Sequence, residues 1–237
     1  MLTPRRIVIA IAALFAAVVL ADHVLPPPLE RAGEISALVT DREGKPLRAF
    51  PTDDGRWRFR GDLDKIDPEF IEALIRVEDK RFYSHRGTDW AGLMRAVVDS
   101  ARAGRVVSGG STITMQTARM LEPRDRNVGS KIIEIARAWQ IERRLSKDEI
   151  LELYLTLTPY GGNLEGVRAA SWSYFGHEAD RLSDDEIALL ISRSASSFQE
   201  GVTTARTVIE RLIDKDVPSD IRKRNVRQGC QPTALSV

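Results

Sequence analysis

Cysteine and histidine are scarce in this chain. Of 237 residues one is cysteine, Cys230, and three are histidine, His23, His85 and His177. A single cysteine excludes an intramolecular disulfide and a cysteine-rich zinc site. The histidines are widely spaced and none falls in a His-Glu-x-x-His pattern, which argues against a histidine-held metal. Excess charge is lacking too: 35 basic residues face 34 acidic ones, a net of +1, so no global field recommends a nucleic-acid partner. Parallel-strand patterning is absent after residue 60. What remains is ordinary. Hydrophobic content of 43% and charged content of 29% describe a globular chain rather than a disordered one. Its length allows one large domain or one and a half.

Arg5 and Arg6 precede an unbroken apolar run from Ile7 to Ala21, closed by Asp22, His23 and Pro26-Pro27-Pro28. The run is shorter than the ~20 residues of a comfortable membrane span and long for the apolar part of a cleaved signal. A short single-pass anchor and a signal peptide both fit. No small-x-small cleavage site precedes the prolines, which favours the anchor; a buried core helix is opposed by the flanking charges and prolines. The two arginines then stay inside and everything after residue 22 is exported. Residues 1–6 read as a cytoplasmic stub, 7–21 as a transmembrane helix and 22–60 as a lead-in.

Within the lead-in, Ile35–Thr40, Pro46–Phe50 and Arg56–Phe59 read as three short strands, joined by turns at Asp41–Gly44 and Asp53–Gly55. From Asp67 the pattern is helical. Asp67-Pro68 is an N-cap followed by proline. Phe70, Ile71, Leu74 and Ile75 make one stripe, and Glu78 falls on it. A second helix opens at Asp89, carries Trp90, Leu93, Met94, Val97, Val98 and Ala101 on one face, and stops at Gly104. Ser111 is positioned to cap a helix to about Leu121, and Lys131–Arg143 forms the next. Ser146–Glu149 and Ser183–Glu186 are capping boxes, opening helices to Leu157 and Ile191. Between them lie a loop at Pro159–Gly162 and a helix over 164–175. The fold class is therefore mainly α, with a domain spanning 61–213. The polar stretch 214–237 reads as a disordered tail.

Glu78 on an apolar face is a carboxylate whose desolvation would raise its pKa and suit it to accept protons near neutrality. Asp79, one step round the helix, points elsewhere and stays ionised. A solvated helix end is the plainer alternative for this pair. Gly109-Gly110-Ser111-Thr112 opening a helix suits an anion, with free amides and two hydroxyls converging; an ordinary N-cap is the alternative. Lys131, Glu134 and Arg137, three residues apart, form either a surface ion-pair ladder or a carboxylate with cations for a diphosphate, to which Arg119 adds another. His85 reads as a structural histidine bonding a loop backbone in preference to a proton shuttle.

These stretches occur together in one order. Glu78-Asp-x-x-Phe82-x-x-His85-x-Gly87, Gly110-Ser-Thr-Ile-Thr-Met-Gln116, Lys131-x-x-Glu134 and Ile150-Leu-Glu-x-Tyr-Leu155 with Tyr160-Gly-Gly resemble the four motifs of the peptidoglycan glycosyltransferases, the polymerase domain of class A penicillin-binding proteins. Met115, Ala118-Arg119 and the lead-in look most like the 1C type. The resemblance covers roughly residues 20–190. It implies a lysozyme-like helical domain at the outer face of the inner membrane, polymerising lipid II into glycan strands with inversion at the anomeric carbon. By that resemblance Glu78 is the general base and Glu134 assists departure of the lipid diphosphate. Lys131, Arg119 and a diphosphate-bound Mg²⁺ would balance charge, with no metal held by protein ligands. Asp79, Phe82, His85, Gly110, Ser111, Thr112 and Gln116 would line the cleft. The implied partners are lipid II, the growing strand, the inner membrane and other cell-wall synthesis proteins. The helix at Trp90–Val98 would either pack in the core or dip into the lipid surface.

The chain departs from the family at several points. Ser130 stands where arginine usually precedes the motif lysine, Thr156 replaces asparagine, and Arg119-Met120 replaces a Lys-Asn pair. Ser192–Ser197 replaces a proline-containing stretch, and only Ala205–Leu212 echoes the fifth motif. No Ser-x-x-Lys occurs, so a polymerase domain shortened before its transpeptidase partner is expected, without penicillin-sensitive acylation. Two other functions remain open. One is a non-catalytic remnant that binds lipid II or cell-wall partners, suggested by the altered stretch after Ile191. The other is a lysozyme-like hydrolase sharing the two-carboxylate logic, opposed by the second motif's suitability for a diphosphate.

Overall fold

The computed structural model describes residues 22, 24–42, 46–103, 110–125 and 127–198. The expected anchor at 7–21, the fifth-motif echo at 205–212 and the tail lie outside these residues, as do part of the first turn at 43–45, Gly104 and Gly109. Among the described residues no helix is long and apolar enough to cross a membrane.

The chain is mainly helical. It runs through α1 (Glu30–Gly33), β1 (Ala37–Thr40), β2 (Pro46–Phe50), β3 (Trp57–Arg58), α2 (Pro68–Glu78), α3 (Trp90–Ala103), α4 (Ile113–Leu121), α5 (Val128–Glu142), α6 (Lys147–Leu157), β4 (Pro159–Gly161), β5 (Leu164–Glu165), α7 (Val167–Tyr174) and α8 (Asp184–Phe198). Local chemistry sets many boundaries. Asp67 caps α2 by accepting from the Glu69 amide, with Pro68 at the first helical position. The Ser146/Glu149 capping box forms in both directions. In the second box the Ser183 amide and hydroxyl both donate to Glu186, at 2.8 and 2.9 Å.

The architecture is organised round α4. Every one of its residues except Arg119 is buried, as expected of a helix packed on several sides. It lies against both α5 and α6, and Ile113, Ala118, Met120 and Leu121 join the core with Phe70, Leu74, Ile141, Ile150, Leu151 and Leu155. Its buried threonines are satisfied locally: Thr117 donates to the Ile113 carbonyl at 2.9 Å, and Thr114 to Glu142 at 2.7 Å.

The lead-in differs from the expected pair of hairpins. The first forms, with Ala37 opposite Phe50. The second turn closes too, the Thr52 amide donating to the Arg56 carbonyl at 2.9 Å, but β3 does not return to β2. It pairs in parallel with β5, Arg58 opposite Glu165, and β5 pairs antiparallel with β4. The reason is charge burial. Arg58 is fully buried and donates to Glu165 through Nε at 2.7 Å, with Nη2 at 2.6 Å. Arg31 and Arg56 approach the same carboxylate at 3.1 and 3.4 Å. A buried charge needs such partners, and they stitch the lead-in into the domain. The expected loop at Pro159–Gly162 is thus largely a strand, and the helix expected over 164–175 begins only at Val167.

Two family departures are absorbed by the fold. Thr156 accepts from the Gly61 amide at 2.8 Å and donates to the Glu152 carbonyl at 2.6 Å, holding the lead-in against α6. The serine-rich stretch after Ile191 is not a break: α8 runs on to Phe198. Ser192 and Ser194 are buried in it and bond back to the carbonyls of Leu189 and Ile191 at 2.8 and 2.9 Å.

Candidate functional site

Two carboxylates from different helices are engaged by one face of α4. Glu78, the last residue of α2, accepts a hydrogen bond from Gln116 Nε2 at 2.9 Å. Glu134, on α5, lies 3.3 Å from Arg119 Nε and accepts from Lys131 Nζ at 3.0 Å. Gln116 and Arg119 are three apart on α4, so their Cβ atoms stand roughly 5–6 Å from each other on one face. Lys131 also donates to Ser111 Oγ at 2.6 Å. The result is two polar chains, Glu78–Gln116 and Arg119–Glu134–Lys131–Ser111, both joined to the central helix. Burial lowers the Lys131 pKa, opposed by its hydrogen bond and attraction to Glu134.

Two phenols face Glu78. Tyr154 on α6 and Tyr160 on β4 are buried. Burial pushes both phenols far above the ordinary tyrosine value, and the facing Glu78 carboxylate pushes them further. Both stay neutral at any ordinary pH. Neither was singled out from sequence as a site residue; the available signal was a tyrosine on an otherwise apolar helix face and another beside a Gly-Gly turn.

The rest of the first motif builds the wall rather than lining it. Asp79 points away from Glu78 as expected of its place on the helix, but it is buried, not part of a solvated helix end. It accepts from the Ile113 amide at 3.0 Å and meets His85 Nε2 at 2.9 Å. His85 therefore bonds a carboxylate, not a loop backbone. Phe82 is fully buried in the core cluster, beneath Lys147 Nζ at 4.5 Å from the ring centroid, so it does not line an open cleft. Gly87 has φ +82, and a Cβ there would come within 3.1 Å of the Ala138 carbonyl, so glycine lets the loop lie on α5.

The second motif also differs from expectation. The cap of α4 is Thr112, not Ser111. Its hydroxyl accepts from the Met115 amide at 3.2 Å and donates to the Gly87 carbonyl at 2.6 Å. The Ile113 amide is taken by Asp79, and Ser111 turns to Lys131. The two hydroxyls therefore diverge, and the helix start is capped largely by the protein itself. Gly110 is required by packing: a Cβ there would meet Leu93 Cδ1 at 2.8 Å and Leu93 Cα at 3.1 Å. Arg137 pairs with Glu122 at 3.0 Å and takes no part in the Glu134 cluster.

Apolar side chains are exposed beside these groups. Trp90, Met94 and Val98, at i, i+4 and i+8 on α3, are 54%, 61% and 40% exposed, which overturns pure core packing for that face. Val128, Ile132 and Trp139 on α5 are 79%, 63% and 48% exposed. Trp90 and Trp139 meet edge to face, centroids 6.4 Å apart, bridging the two stripes. A surface of this kind marks an interaction site more often than chance.

Comparison with known proteins places these features in context. The sequence profile of the family described as Transglycosylase matches residues 43–212. The chain is similar to penicillin-binding protein 1C of Escherichia coli (strain K12), 42% identical over 194 residues, 80% of this chain and 25% of that protein. It is similar to penicillin-binding protein 1A of Aquifex aeolicus (strain VF5), 44% identical over 134 residues, 56% of this chain and 18% of that protein. Against a biosynthetic peptidoglycan transglycosylase of Mesorhizobium japonicum it is 36% identical over 176 residues, 70% of this chain and 73% of that protein. The chain thus spans a quarter or less of the length of the two penicillin-binding proteins, but most of the third relative.

Proposed function

The chain belongs to the transglycosylase family, and from that premise we propose that it is a peptidoglycan glycosyltransferase that polymerises lipid II into glycan strands. The observation that carries this reading is the pair of carboxylates engaged by Gln116 and Arg119 on one face of α4, one beside buried phenols and the other between two cations. That asymmetry suits a displacement in which a proton leaves one side and a diphosphate leaves the other.

In the proposed reaction Glu78 accepts the proton of the acceptor sugar's 4-hydroxyl as that oxygen bonds to the anomeric carbon of the growing strand. The carbon–oxygen bond to the lipid diphosphate breaks on the opposite face, its electron pair passing to the phosphate oxygen, so the configuration inverts. Gln116 holds the Glu78 carboxylate in one orientation. Arg119 and Lys131 face the charge that develops on the leaving diphosphate, and Glu134 fixes both cations. A diphosphate-bound Mg²⁺ would share that charge with Arg119 and Lys131; no three acid or imidazole side chains converge to hold a metal among the described residues.

A lipid-linked substrate requires the enzyme at a bilayer. The exposed stripes of α3 and α5 support docking of this face on the outer surface of the inner membrane, with residues 7–21 as the anchor. The reaction class is tested by giving the detergent-solubilised chain labelled lipid II and, separately, finished peptidoglycan. Strand formation from lipid II with no cleavage of finished polymer is expected. Cleavage without polymerisation would assign a hydrolase, and tight lipid II binding without turnover a non-catalytic binder.

A further inference from the structure

The apolar run at 7–21 ends one residue before Asp22. Asp22 is where the described chain takes hold of α5, the helix that carries Lys131 and Glu134. Arg144, just past the end of α5, donates through Nη1 to Asp22 Oδ1 at 2.7 Å and through Nη2 to the Asp22 carbonyl at 3.0 Å. Arg143 adds a second cation 3.5 Å from Oδ2. Arg137 donates to the Leu25 and Pro26 carbonyls at 2.6 and 3.2 Å, and Gln140 to the Leu25 carbonyl at 3.1 Å. The hydrogen bond from Arg144 and the two guanidinium charges hold the Asp22 carboxyl below the usual range, against a smaller opposing effect of burial.

We propose that Arg137, Gln140, Arg143 and Arg144 form a clasp that fixes the chain emerging from the apolar run to α5, and thereby sets the depth and tilt of the Lys131–Glu134 pair against the lipid surface. The inference rests on the glycosyltransferase reading above. Its force comes from geometry. A paired guanidinium–carboxylate contact backed by carbonyl contacts is directional, unlike a lone surface ion pair. From Glu134 to the end of α5 at Glu142 is eight residues of helix, about 12 Å at 1.5 Å per residue, so α5 is a short rigid lever whose end carries Arg143 and Arg144. Without the clasp, residues 22–29 would act as a proline-containing, semi-rigid tether up to about 25 Å long when extended. Displacements of about 1 Å already cost up to ~100-fold when a reacting group must be positioned. Arg137 and Gln140 lie at i and i+3 on a different stripe of α5 from the exposed Val128, Ile132 and Trp139, and Arg144 follows just past its end. The clasp therefore leaves the apolar stripe uncovered.

The test uses the full chain in phosphatidylcholine–phosphatidylglycerol vesicles, comparing the parent with Asp22→Ala/Arg144→Ala. Substrate is supplied either as a long-prenyl diphosphate disaccharide in the vesicle or as a short-prenyl analogue in detergent solution. Turnover of the long-prenyl substrate is expected to fall about tenfold or more, with the short-prenyl rate held within twofold. Equal loss on both substrates, or no loss on either, overturns the proposal. A second readout is independent of activity: depth-dependent quenching of Trp90 and Trp139 by brominated lipids, in a background carrying Trp57→Phe and Trp172→Phe. The double variant is expected to change the quenching depth; an unchanged depth overturns the clasp. Should the parent polymerise nothing, the glycosyltransferase reading fails, while the quenching experiment still decides the clasp.

Discussion

Replacing Asp79 by alanine separates a structural carboxylate from its neighbour Glu78, the proposed base. Asp79 accepts from the Ile113 amide and from His85, and all three groups sit in the interior or close to it. Alanine leaves two buried donors unpaired, each costing about 1–3 kcal/mol, so the loss should be about 2–6 kcal/mol of folding stability. For a chain of this size that corresponds to a thermal midpoint lower by roughly 4–24 °C, at about 2–4 °C per kcal/mol. Asparagine keeps one acceptor oxygen for the Ile113 amide, and the opposite imidazole tautomer can meet its NH₂. Asp79→Asn should therefore cost only about 1 kcal/mol and keep most of the turnover. Urea unfolding of the full chain in detergent, followed by far-ultraviolet circular dichroism, measures both variants. Asp79→Ala within about 0.5 kcal/mol of the parent, a difference typical of neutral surface changes, would refute the reasoning, as would loss of activity in Asp79→Asn without loss of stability.

Gln116→Leu removes the donor to Glu78 but also removes Gln116 Oε1, a buried acceptor with no hydrogen-bond partner among the described residues. Turnover should fall about 10–100-fold, the worth of one charge-assisted bond, with the unfolding midpoint unchanged or slightly raised; a stability loss without a rate loss would make Gln116 structural. Arg119→Met should lower kcat by about 10²–10³-fold, as loss of one preorganised charge stabiliser does, with a smaller change in lipid II affinity measured by direct binding. The third expectation concerns acid. Burial pushes the Glu178 carboxyl up, but the Arg168 hydrogen bond and charge outweigh it and hold the group below its ordinary value of 4.5. That stabilisation is present above pH 4.5 and is lost as pH falls through the lower folded value. Thermal midpoints between about pH 5 and pH 3 should therefore drop less steeply in Arg168→Met than in the parent; parallel curves would show that the pair contributes nothing.

Much of this arrangement was legible in the sequence because local rules govern it. The Asp67 cap, the Ser146 and Ser183 boxes and the amphipathic stripe ending at Glu78 are set by residues a few positions apart. What was not legible depends on partners far away in the chain. Arg58 reads as one residue of an alternating strand, and only Glu165, 107 positions on, decides that β3 leaves its hairpin. Asp79 reads as a solvated helix end until Ile113 and His85 close round it. Ser111 reads as the cap, but its contact with Lys131 Nζ and the Thr112 bond to the Gly87 carbonyl give that place to Thr112. The serine-rich stretch of α8 looks like an eroded connection because serine favours turns, yet its buried hydroxyls return to their own helix. The exposed stripes on α3 and α5 carry the same periodicity as core faces, and periodicity alone cannot say which face finds a neighbour.

The central claim is that Glu78 is the base, and Glu78→Gln tests it most directly. Glutamine preserves shape and keeps an oxygen to accept from Gln116, so folding and lipid II binding should be retained. Polymerisation of labelled lipid II should fall by about 10²–10⁴-fold, the range of a lost general base. Polymerisation within tenfold of the parent, with binding intact, would contradict the account.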